Sequence, residues 1–99
     1  MDAFYLYRDQ TFVWDSQKER DNFAKHGIHF QTACEVFFDE LSAFVDASVA
    51  GESRLALIGL SKDRKLLYVV HVSREHDRIR IISAREASAQ ERRLYEDGE

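Results

Sequence analysis

Three strand-like runs follow one another closely in the second half of this 99-residue chain, and they restrict its fold more than any other feature. Arg54 to Leu60, Leu66 to Ser73 and Arg78 to Ser83 are rich in strand-forming residues. The polar stretches Ser61-Lys62-Asp63-Arg64-Lys65 and Arg74-Glu75-His76-Asp77 separate them. Strands joined this tightly pair antiparallel, as a meander. In the last run, alternation puts Arg78 and Arg80 on one side and Ile79 and Ile81 on the other, so one face enters a core while the other presents guanidinium groups. Such forks match phosphate oxygens and stay charged at every physiological pH. The alternative is that these arginines pair with the chain's own carboxylates.

The first half reads mainly as helix. Thr11-Phe12-Val13-Trp14 is a short β-prone run ended by Asp15-Ser16. Ser16 with Glu19 fits a capping box, and Gly27 supplies a left-handed stop, which predicts a helix over Gln17 to His26. Lys18, Asn22, Lys25 and His26 share one of its faces. Phe30, Ala33, Cys34 and Phe37 recur at helical spacing and predict a second, buried helix ending near Phe38-Asp39. Ser42 to Ala47 has β character, Ala50-Gly51-Glu52 reads as loop, and Ser88 with Glu91 opens a last helix through Tyr95 toward Asp97. The predicted order β-α-α-β-β-β-β-α implies one α+β domain over residues 1–99. It would be a twisted antiparallel sheet with two N-terminal helices and one C-terminal helix packed on one face.

Composition removes several function classes. Net charge is −4, with 4 Lys/Arg against 9 Asp/Glu in residues 1–50 and 10 against 9 in residues 51–99. An acidic total argues against coating nucleic acid non-specifically but allows a locally positive cleft. Cys34 is the single cysteine, so there is no intrachain disulfide, a thiolate zinc site is disfavoured, and a buried inert thiol is expected. His26, His29, His71 and His76 form no metal-binding spacing. The longest apolar run, Leu66 to Val70, is too short to span a bilayer, and Met1 to Tyr7 lacks a basic leader; a soluble cytoplasmic protein is expected. Neither a Gly-x-Ser-x-Gly elbow nor a Gly-rich phosphate loop occurs.

What survives is a set of cations, Lys18, Lys25, Arg54, Arg78, Arg80 and Arg85, in histidine and aromatic company. In ribonucleolytic transesterification the RNA supplies its own nucleophile, the 2′-hydroxyl. The protein need only orient the strand, neutralise phosphate and move protons, without metal or cofactor. His71 shares a strand face with Leu67 and Val69 and is either a hydrogen-bonded core-edge histidine or a general acid/base. His26 either complements its helix dipole or joins the chemistry. Trp14 either anchors the polar helix or stacks on a base. Arg92 and Arg93 face solvent or pair with Glu96.

Taken together, Trp14-Asp15, Lys18, Asn22, Lys25-His26-Gly27, Phe30, Ala33, Phe37, Asp39, Arg54, Gly59, the segment Arg78 to Arg85, Ala87, Glu91-Arg92 and Tyr95 resemble the BrnT family of bacterial toxins. The resemblance covers about Phe12 to Glu96 and leaves Met1 to Gln10 outside, as an added strand, a partner contact or an unordered end. It implies the toxin half of a type II toxin–antitoxin pair, with a RelE-like fold, that cuts RNA and arrests growth. It further implies a BrnA-like ribbon-helix-helix antitoxin that neutralises the toxin, represses the shared operon with it, and makes the DNA contact. Carried over by position, Lys25, His26, Arg54, Arg80 and Arg85 are the catalytic candidates. Trp14, Lys18, Asn22, His71 and Arg78 are the substrate-binding ones. A toxin homologue without cleavage and an RNA-binding regulator using the same basic face are the competing readings.

Overall fold

The computed structural model describes residues 1–98, and these form a six-stranded sheet with three helices. Strand β1 (Asp2–Tyr7) turns through Arg8 and Asp9, both at positive φ, into β2 (Gln10–Asp15). Helices α1 (Ser16–His26) and α2 (Phe30–Glu35) follow, and a single 3-10 turn (Val36–Phe38) ends the helical stretch. Next come β3 (Ala43–Asp46), β4 (Leu55–Leu60), β5 (Leu66–Glu75) and β6 (Arg78–Glu86), then α3 (Ala89–Asp97).

The strand order is β1-β2-β6-β5-β4-β3. The meander expected for β4, β5 and β6 is present and antiparallel. The sheet as a whole is mixed rather than antiparallel, because β2 pairs parallel with β6 through Phe12–Ile79 and Val13–Arg80. Parallel neighbours need a long crossover, and here everything from α1 to β5 serves as one. Local periodicity carries no sign of such a pairing.

The helix arrangement also differs from expectation. A β-hairpin opens the chain where one short strand was expected, with Asp2–Tyr7 as the added strand, and α2 is only six residues long. Helices α1 and α2 cover the face carrying Phe12, Trp14, Leu57, Leu67, Val69, Ile81 and Ala84, which with Phe30, Cys34 and Val36 make the buried core. Helix α3 sits on the opposite face, over Tyr68 and Val45. The box expected at Ser16 is replaced by Asp15, whose carboxylate accepts from the Lys18 N–H at 3.0 Å, while Glu19 pairs with His29. The box at Ser88 and Glu91 forms as expected. Cys34 is fully buried, and burial pushes its thiol up, which keeps it protonated. Gly59 sits where the sheet meets the 3-10 turn: an added Cβ would lie 3.0 Å from the Val36 carbonyl oxygen. No helix among the described residues is long and apolar enough to cross a membrane.

Candidate active site

A cleft of about 600 Å³ opens where β4 begins and β5 runs on past it. Asp46, Ser48, Arg54, Leu55, His71 and Ser73 are among its lining residues. Arg54 is held by its backbone: its N–H donates to Ser48 Oγ at 3.1 Å, and its carbonyl accepts from the Ala47 N–H at 3.0 Å. One guanidinium nitrogen pairs with Glu52, but Nε is buried without a hydrogen-bond partner. A buried donor left unmet costs about 1–3 kcal/mol, so a group that would accept from it gains by that amount.

His71 faces the same cleft from β5 and is 1% exposed. Phe37 packs edge-on against its ring at 4.7 Å, and Phe44 lies 6.1 Å away on the other flank. Nδ1 lies 3.3 Å from the Val69 carbonyl, which can only accept, so Nδ1 carries the hydrogen and Nε2 keeps its lone pair. Burial lowers the affinity of this imidazole for a proton, and the Val69 bond opposes that only in part. Its folded pKa therefore lies below the ordinary 6.5, and the unfolded chain takes up the proton first as pH falls. Stability should be fully present above about 6.5, decline as pH drops to the lowered folded value, and flatten below it. Urea titrations across this window check the slope, which His71→Gln should remove.

The other candidates do not line this cleft. Arg78, Arg80 and Arg85 point to the sheet face opposite α1. Arg80 forks onto Asp2 at 2.8 and 3.2 Å, and Arg78 stacks over Phe4 at 5.1 Å. Arg85 forks onto Glu91 at 2.8 Å twice and lies 4.2 Å above the Tyr68 ring. Strict alternation would separate Arg80 from Arg85, five residues apart. A bulge restores them to one face: His71 pairs with Ile81 but Val70 pairs with Ser83, so Ile82 is the extra residue. The pairing of arginines with carboxylates, open in the sequence, is thus realised for Arg54, Arg80 and Arg85.

Lys18, Lys25 and His26 are exposed on α1, the last two in its final turn before the left-handed Gly27. Trp14 is 4% exposed and packs edge-on against Phe30 at 5.7 Å, so its ring is spent on the core and is closed to a base. Asn22 is buried, donates to the carbonyls of Ile28 and Ala84, and accepts from the Ala84 N–H. It binds α1 to β6 rather than a ligand.

Glu91 ties Arg85 to the start of α3, since the same carboxylate also accepts from the Ser88 N–H. Arg85 holds that carboxyl below its usual range. The Arg85 side chain is 37% exposed, and solvent screening leaves the pair worth about 1 kcal/mol. Arg85→Ala should therefore lower stability by about that amount and reduce α3 helicity by circular dichroism, with cleavage per folded molecule unchanged. Lost cleavage with α3 intact would return Arg85 to phosphate binding.

Sequence reasoning passed over Asp46, Ser48, Glu52 and Phe44. One signal was available: Asp46-x-Ser48 is a turn pattern, realised as Asp46 Oδ1 accepting from the Ser48 N–H at 2.9 Å, and the Ser48 hydroxyl first, with that N–H second, holds the carboxyl below its usual range.

No curated protein matches the chain. A family model described as the ribonuclease toxin, BrnT, of type II toxin–antitoxin systems matches residues 14–91, from the end of β2 into α3, leaving β1 outside. With the cleft, the meander and the arginine strand all inside that span, the chain belongs to the BrnT family of ribonuclease toxins.

Proposed function

We propose that this protein is a metal-independent endoribonuclease of RelE-like type that cuts RNA at the Arg54–His71 cleft and so halts translation and growth. A BrnA-like antitoxin with a ribbon-helix-helix region neutralises it in the cytoplasm, and the two together repress their operon. One observation carries the site: a permanently charged guanidinium, Arg54, and a buried histidine, His71, whose Nδ1 faces the Val69 carbonyl, line one cleft.

The chemistry needs little else. The 2′-oxygen attacks the adjacent phosphorus while its proton passes to His71 Nε2. Arg54 displaces Glu52 and donates to the non-bridging oxygens as charge builds on them. The bond from phosphorus to the 5′-oxygen breaks, that oxygen takes a proton from water, the hydroxide left takes the proton back from His71, and the products are a 2′,3′-cyclic phosphate and a 5′-hydroxyl end. Lys18, Lys25 and His26, exposed on α1, contact flanking phosphates.

A second reading has its own support. Arg54, Arg80 and Arg85 each hold a carboxylate, as expected of a homologue that captures an antitoxin without cutting. Incubating the purified chain with defined RNA in excess chelator separates the two. Cleavage leaving cyclic-phosphate ends, and growth arrest relieved by the neighbouring gene, are expected. RNA that stays intact, or is cut only after a divalent metal is restored, would overturn the nuclease assignment.

A further inference from the structure

The two edges of the sheet are built differently. On the β3 side the edge is four residues long, carries Asp46 and runs into an irregular loop, all features that discourage pairing. On the other side, β1 reads Ala3-Phe4-Tyr5-Leu6-Tyr7 after Asp2, an uninterrupted apolar strand with neither proline nor glycine. Such an edge is a template for another strand. It is also firmly held. The Met1 amino group pairs with Asp15 at 3.1 Å, the Ser16 N–H donates to the Met1 carbonyl at 2.8 Å, Tyr5 lies 5.9 Å from Trp14, and Tyr7 lies 5.4 Å from Phe38.

The ladder tells which backbone groups are left over. The bond between Ser16 and Met1, with the register that sets Ala3 opposite Trp14 and Tyr5 opposite Phe12, turns the odd residues toward β2. The N–H and carbonyl groups of Asp2, Phe4 and Leu6 therefore point away from the sheet. Their side chains share the face opposite α1, where Phe4 is 59% and Leu6 69% exposed. Outward-pointing backbone groups and largely exposed apolar side chains thus coincide at the same two residues, although Arg78 covers one face of the Phe4 ring at 5.1 Å.

We infer that β1 pairs antiparallel with β1 of a second copy of this chain, about a two-fold axis at Tyr5. A two-fold axis perpendicular to the sheet keeps faces together, so only residues of like parity face one another. Centring on Tyr5 sets Phe4 opposite Leu6 of the second copy, twice by symmetry, with Asp2 keeping its Arg80 fork and the turn residue Arg8 its place over Phe38. Centring on Phe4 sets Leu6 opposite Asp2; centring on Leu6 sets Phe4 opposite Arg8. Both of those bury an apolar side chain against a charge. Pairing joins the two sheets at their β1 edges and leaves the Arg54 cleft, on the β3 side of each, open.

Sedimentation of the full chain over a dilution series tests this. A concentration-dependent dimer is expected. Leu6→Lys and Phe4→Glu should each raise its dissociation constant about a hundredfold, because symmetry removes the Phe4–Leu6 contact twice, with circular dichroism unchanged. An equimolar mixture of the two variants should associate again, since one introduced carboxylate then faces one introduced ammonium. A wild-type chain that is monomeric throughout, a Leu6→Lys variant that stays dimeric, or a mixture that fails to associate would each overturn the inference. A monomer whose antitoxin capture is weakened by Leu6→Lys would assign the edge to the antitoxin instead.

Discussion

Replacing Arg54 by alanine should lower RNA cleavage by about 10²–10³-fold, the usual cost of deleting one charge-stabilising donor in a transition state, and should barely move the melting temperature. The two halves of this expectation come from different terms. On the functional side, Arg54 is the only arginine lining the cleft among the described residues. On the stability side, the ion pair it forgoes is with Glu52, whose side chain is 59% exposed, and such pairs contribute about 0–1 kcal/mol. Against that loss, the substitution removes a buried Nε with no partner. The terms nearly cancel, so activity falls without unfolding. Arg54→Lys should recover part of the rate, since it keeps the charge and loses the fork. Glu52→Gln should tighten RNA binding by releasing the guanidinium. Rate measurements on short RNA substrates beside thermal melts check all three, and wild-type cleavage by Arg54→Ala would remove this cleft from the mechanism.

Asn22→Ala should produce the opposite pattern. Strand β2 ends at Asp15 and its pairing with β6 covers only Phe12–Ile79 and Val13–Arg80, so Ala84 lies beyond the reach of that neighbour. The Asn22 carboxamide fills the gap as a short substitute for a peptide group: Nδ2 donates to the Ala84 carbonyl at 2.8 Å and Oδ1 accepts from its N–H at 3.1 Å. Its second amide hydrogen reaches the Ile28 carbonyl at 3.2 Å. Truncation leaves three buried backbone groups unmet, and a loss of about 3 kcal/mol follows, equivalent to roughly 12–24 °C in a chain of this size. Cleavage per folded molecule, measured well below the new melting point, should be unchanged. A variant that melts like wild type but has lost RNA affinity would restore Asn22 to the substrate-binding set.

These two residues mark how much of the function was legible in advance. Arg54, one of the surviving cations and a catalytic candidate implied by the resemblance, does line a cleft. His71 was placed on the strand face of Leu67 and Val69, and the register confirms that face. Alternation alone suffices there, because β5 runs in unbroken register with β4 from Leu67 to His71 and the extra residue at the Val70/His71 shift lies on β6. That residue, Ile82, falls between Arg80 and Arg85, and their common side depends on it. Trp14 and Asn22 are substrate-binding candidates in the sequence, yet Trp14 is buried against Phe30 and Tyr5, and Asn22 between Ile28 and Ala84.

The chain's own residues determine whatever depends on neighbours a few positions apart: the meander of β4 to β6, the Ser88 box that starts α3, the left-handed stop at Gly27 and the burial of Cys34. Side-chain periodicity, capping chemistry and short connections are local, so one dimension is enough to read them. Only the tertiary structure decides that β2 lies parallel to β6, that Arg80 meets Asp2 across 78 positions, and that α3 takes the face opposite α1. Such contacts are selected by how the whole sheet closes its hydrophobic faces, and no local pattern encodes which distant carboxylate or strand will arrive there.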